Sequence, residues 1–153
     1  LADPQGDGIM NRAPELARLV RFYESIERAS MRAQLTQIYA PDACFKDPFN
    51  EVCGIEPIIG IFVHMFAQVE QPRFVVRSTV LQGDEAFLTW EFLFRMKRLS
   101  TAPQCIRGAT RIRFNADGAV MIHRDYWDAA EELYEKLPLV GSVMRWLKRA
   151  ANK

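Results

Sequence analysis

The sequence predicts an α+β fold in which three N-terminal helices pack against twisted antiparallel strands around an apolar pocket. Three observations carry that prediction. Apolar residues recur at helical spacing up to Val69, β-branched and aromatic residues dominate from Arg73 to Trp127, and Gly-containing turn signals divide this second region into hairpins. Helices first and long strands afterwards exclude the alternating strand–helix–strand units of a parallel sheet.

Residues 1–12 read as a leader. Leu1 to Ile9, rich in Asp and Gly and without an initiator Met, suggest an artificial extension before a natural start at Met10. From Pro14 to Arg28, Leu16, Leu19, Val20, Tyr23 and Ile26 form a helical stripe, with Pro14 suited to the first turn. Ser30 is placed to cap a second helix whose stripe is Met31, Leu35, Ile38 and Tyr39, and Pro41-Asp42 ends it. A short strand around Cys44 and Phe45 runs into Asp47-Pro48. Glu56 to Val69 is apolar around most of a helix and is expected to be buried on most sides. Arg73 to Gln82 and Ala86 to Arg98 form one hairpin through Gly83-Asp84; Cys105 to Phe114 and Ala119 to Trp127 form another through Asn115 to Gly118. Residues 13–128 are thus one domain. Residues 129–153 form a helical tail, broken at Pro138, with a basic amphipathic end expected to pack on its own domain or a second subunit; a membrane surface is the alternative.

Composition removes several classes of function. The net charge is +1 with 25% charged residues spread along the chain, so the basic field that nucleic-acid binding needs is missing. No apolar run has the length of a membrane span. Cys44, Cys53 and Cys105 are odd in number and lack a Cys-x-x-Cys pair, which argues against a disulfide framework or structural zinc. They read as small buried hydrophobes in a reducing cytoplasm. His64 and His123 lie on distant elements, so no metal site is expected, and no phosphate loop or serine elbow calls for a cofactor.

Strand alternation sets the candidate chemistry. Thr110, Ile112 and Phe114 share one face and Arg107, Arg111 and Arg113 the other, which should be wet or covered by a partner. In the last strand His123, Asp125 and Trp127 project together, opposite Ile122, Arg124 and Tyr126. Pointing inward, the carboxylate and imidazole would serve proton transfer; pointing outward, they are solvated surface groups. Asp47, before Pro48, is a turn residue on sequence alone, and Tyr23 a core tyrosine.

The motifs Tyr39-Ala40-Pro41-Asp42-Ala43 with Phe45-Lys46-Asp47-Pro48, Arg113 to Gly118, and His123-Arg124-Asp125-Tyr126-Trp127-Asp128 converge. Together they resemble the nuclear transport factor 2-like superfamily, in particular its SnoaL-like and ketosteroid-isomerase-like members, from about Pro14 to Trp127. The resemblance implies a cone-shaped, curved antiparallel sheet on three helices, a cystatin-like roll, and a homodimer. It also implies a base at Asp47 and an oxyanion-binding tyrosine at Tyr23. The protonated acid of the isomerases falls on Thr110, whose hydroxyl donates a hydrogen bond without carboxylic acidity. Arg124 to Asp128 is similar to a segment of limonene-epoxide hydrolases carrying a catalytic aspartate, which falls on Asp125; Thr89 to Leu93 lacks the accompanying Arg and Asp, which argues against epoxide hydrolysis.

Tyr23, Asp47, His123 and Asp125 are therefore the candidate catalytic residues, and Trp90, Phe92, Thr110 and Trp127 the candidate ligand contacts. The expected ligand is small and largely apolar, with a carbonyl-type acceptor. Acid/base chemistry without a cofactor, of isomerase or cyclase type, stands beside non-catalytic binding and a dimeric interaction module.

Overall fold

The computed structural model of the chain describes residues 11–98 and 102–132. Three helices, α1 (Ala13–Glu24), α2 (Met31–Ile38) and α3 (Ile55–Gln68), are interleaved with strands β1 (Tyr39–Lys46) and β2 (Glu51–Cys53). Three long strands follow, β3 (Val69–Gln82), β4 (Glu85–Met96) and β5 (Pro103–Phe114), then the shorter β6 (Val120–Tyr126) and one helical turn, α4 (Ala129–Glu132). The six strands form a single curved sheet in the order β2-β1-β6-β5-β4-β3. All neighbours are antiparallel except β1 and β6, which run parallel. The sheet expected to be antiparallel throughout therefore carries one parallel pair, made possible because the chain between β1 and β6 is long enough to cross over.

The stripes read from the sequence become the core. Leu16, Leu19 and Phe22 of α1, Met31 and Leu35 of α2, and Ile58, Ile59 and Phe62 of α3 pack on Ala86, Ile112, Phe114 and Val120 of the sheet. Each such side chain removed from water stabilises the fold by roughly 1.5–3 kcal/mol. The hairpin turns fall where the glycines predict them, with Gly83 and Gly118 at φ of +59° and +80°.

Several expectations are corrected. Tyr39 is not on the stripe of α2 but opens β1, which begins five residues before Cys44; Pro41 cannot extend a helix, and an extended backbone accommodates it. Ser30 precedes α2 without making a side-chain cap, because its backbone is already helical. Helix α3 is not buried on most sides: Val63 is exposed, while Ile61 and Met65 are only partly buried, packing on the edge of the core and lining a cavity. Cys44 and Cys53 are disulfide-bonded. They stand directly opposite across β1 and β2, their Cα atoms 4.1 Å apart, a pairing hidden in the sequence because β2 is only three residues long. Cys53 is exposed, not a buried hydrophobe, and Cys105 is only half-buried. The expectation of a reducing cytoplasm loses the observation on which it rested.

Arg12, the last residue of the expected leader, is only 4% exposed. Its guanidinium donates to Asp84 Oδ1 (2.7 Å) and to the carbonyls of Asn115 (2.9 Å) and Ala116 (3.0 Å). It thereby ties the start of α1 to both hairpin turns. The expected leader before Asn11 and the tail beyond Glu132 lie outside the described residues. Among those described, no helix is long and apolar enough to cross a membrane.

Candidate active site

Register decides which side chains meet. Thr110 on β5 is opposite Asp125 on β6, Ile112 is opposite His123, and His123 pairs in turn with Phe45 on β1. Alternation then sends Thr110, His123, Asp125 and Trp127 to the concave face, so the inward alternative holds for the last strand. His123 is buried, and the Asp125 side chain is 17% exposed. Trp90 and Phe92 reach the same face from β4, Tyr23 from α1, and Asp47 from the β1–β2 turn. All eight sequence-predicted residues line one cavity of about 170 Å³. That is close to the ~150 Å³ of an apolar cavity that admits one benzene-sized molecule. The remaining wall is apolar and includes Phe45, Phe62, Met65 and Phe74.

The polar groups form one chain. Tyr23 Oη lies 2.8 Å from Tyr39 Oη, Tyr39 Oη 2.8 Å from His123 Nδ1, and His123 Nε2 2.8 Å from Asp125 Oδ1. From the other side, Trp90 Nε1 donates to Thr110 Oγ1 (2.7 Å), which donates to Asp125 Oδ1 (2.5 Å). An ionised carboxylate only accepts and an indole N–H only donates, which fixes the direction. With Asp125 ionised and His123 neutral, the imidazole carries its proton on Nε2 and accepts from Tyr39 at Nδ1. Every hydrogen in the chain then has an acceptor, and Asp125 Oδ1 is the sink at which both branches end. Its second oxygen, Oδ2, has no hydrogen-bond partner among the described residues. The Tyr23 and Tyr39 hydroxyls are both pushed above the ordinary phenol pKa, chiefly by burial and further by the nearby negative charge of Asp125.

Asp47 is differently placed. Its Oδ1 accepts from the backbone N–H groups of Phe49 (2.7 Å) and Asn50 (2.6 Å), and the Asn50 amide donates to both of its oxygens at 3.0 Å. It is at once the turn residue that Asp-Pro suggests and part of the cavity wall. Thr110 has its hydrogen committed to Asp125, so it positions the carboxylate rather than donating to a ligand. Tyr39 is the functional residue that sequence reading missed, because an irregular register between Tyr39 and Cys44 breaks the alternation leading back from Phe45. Pro41, which forbids helix two residues later, was the available signal. His64 bonds to Gln68 on the exposed side of α3, away from the cavity. Among the described residues, no three His, Cys, Asp or Glu side chains gather as metal ligands would.

A curved sheet closed by three helices over a conical cavity defines the nuclear transport factor 2-like class. Solved structures share it. An NTF2-like protein from Burkholderia pseudomallei superposes with a TM-score of 0.68 at 15% identity, over 80% of this chain and 95% of that one. A ketosteroid-isomerase-like protein from Catenulispora acidiphila, in complex with trimethylamine, gives 0.67 at 15% identity over 79% and 90%. An epoxide hydrolase of the limonene-epoxide-hydrolase type from M. tuberculosis gives 0.63 at 11% over 79% and 85%. The chain belongs to the SnoaL-like domain family, which matches residues 19–123. No curated protein matches the sequence.

Proposed function

We propose that the cavity binds a compact, largely apolar molecule with a carbonyl-type acceptor, and that Asp125 is the general base removing a proton from the adjacent carbon. The observation that carries this reading is the asymmetry of Asp125, a residue of the cavity wall: Oδ1 is anchored by Thr110 and His123, while Oδ2 has no hydrogen-bond partner among the described residues. An anchored carboxylate with one oxygen free is oriented before substrate arrives, which lowers the cost of proton transfer. Tyr23 is the oxyanion donor. Its hydroxyl hydrogen can turn from Tyr39 to the ligand oxygen, while Tyr39 continues to donate to His123. Asp47, with both oxygens held by its own turn, shapes the mouth and is not the base. The trimethylamine held by the Catenulispora relative is consistent with a ligand of this size.

Pure binding is the second reading, and it would favour carboxylates paired to surface arginines. Neither Asp47 nor Asp125 has an arginine partner among the described residues, and both line one cavity, which supports catalysis. Deuterium exchange into the α-carbon of small cyclic ketones, followed by NMR, tests it. Asp125→Asn should slow enzyme-dependent exchange by about 10²–10⁴-fold, the usual contribution of a positioned base. Asp47→Asn should leave most of it. Equal exchange by wild type and Asp125→Asn would remove Asp125 from the role.

A further inference from the structure

The cavity wall is unbalanced in charge. Among the described residues its ionisable groups are Tyr23, Asp47, His123 and Asp125, with no lysine or arginine. No lysine or arginine bonds to either carboxylate among the described residues: backbone N–H groups and an amide hold Asp47, and a hydroxyl and the His123 ring hold Asp125. Neutral donors orient a carboxylate but do not cancel its charge, and a partly desolvated charge draws a counter-charge.

The rest of the wall suits a particular counter-charge. Phe74 stacks on Phe92 with centroids 4.4 Å apart and meets Trp90 edge-on at 6.0 Å. The one polar atom of Trp90 is bound to Thr110, so toward the cavity this residue offers only carbon and its π cloud. Aromatic faces attract a diffuse cation that a lysine-like, strongly hydrated ammonium would approach less readily. Resting on the reading that this cavity is the ligand site, we propose that its ligand is a compact organic cation, a tertiary or quaternary ammonium compound seated between the aromatic wall and the two carboxylates. The inference sharpens the substrate class to an amine-bearing carbonyl compound. A fixed positive charge near the reacting carbon would also stabilise the enolate that Asp125 generates.

Choline and its neutral isostere, in which a quaternary carbon replaces the nitrogen, have the same shape and differ in charge. Titrating each into the intact chain by calorimetry should give a preference for choline of about tenfold or more, corresponding to roughly 1.4 kcal/mol. Asp125→Asn should narrow the gap between the two affinities, and the double variant with Asp47→Asn should close it. Phe74→Leu, which leaves the carboxylates in place, should weaken choline more than the isostere. Equal binding of both probes by wild type, or binding of neither, overturns the inference; an imidazolium at His123 balancing Asp125 internally would give the first result. The ketone exchange assay involves no cation, so Asp125 can keep its role as base whichever way the titration falls.

Discussion

Gly108 sits opposite Trp90 in the β4–β5 ladder, and a Cβ built there would lie 2.4 Å from the indole ring. The missing side chain lets the indole lie over the strand and reach Thr110, so the branch of hydrogen bonds entering Asp125 from this side depends on a residue that contributes no atom to it. Gly108→Ala should displace Trp90 and cost about 1–3 kcal/mol of stability, the range for overpacking a filled interior. Denaturant unfolding followed by tryptophan fluorescence measures both the loss and the changed surroundings of the indole. Wild-type stability with an unchanged emission spectrum would refute the steric account. At this scale the sequence was partly legible. The i, i+2 spacing of His123 and Asp125 announced a shared face, but only cross-strand register could join Thr110 and Trp90 to them. Tyr39 stayed hidden behind a local irregularity in β1.

Strand β2 is only three residues long, and with β1 it holds the turn that presents Asp47 to the cavity. Two links close this hairpin on its outer side: the Cys44–Cys53 disulfide and the Lys46–Glu51 ion pair at 2.7 Å. The ion pair is exposed and contributes little. The covalent link, between residues nine positions apart, should contribute about 2–3 kcal/mol by restricting the unfolded chain. Replacing both cysteines by serine should therefore lower the denaturant midpoint, and reductant should lower that of the wild type to match while leaving the double variant unmoved. A midpoint indifferent to reductant would mean that the hairpin holds without its bridge. Element positions were legible wherever an amphipathic period ran for more than two turns or a glycine marked a hairpin. They failed at β2, whose three residues are too few to carry a period, and at the start of β1, where helical and strand readings of the same apolar residues compete.

Across the whole molecule, the curved sheet and its cavity were legible because many weak signals agreed, whereas the charge state of the cavity was not, since it depends on which side chains the fold brings together. That charge state gives the molecule a pH dependence. Tyr23 and Tyr39 have their hydroxyls held above the ordinary phenol value, first by burial. In the unfolded chain both titrate near pH ~10. Above that pH the unfolded state has lost protons that the folded state keeps, so the slope of stability against pH is negative. The stabilisation from this pair is fully present below about pH 10 and is lost as pH rises from there toward the higher folded values. Thermal melts across this range should therefore show a falling midpoint, with phenolate absorbance from the buried pair appearing together with unfolding. Tyr39→Phe should start from a lower midpoint, since it leaves His123 Nδ1 without its close partner, and should then decline less steeply. Phenolate formation by both tyrosines near pH ~10 in a protein that remains folded would contradict the buried, one-directional chain ending on Asp125.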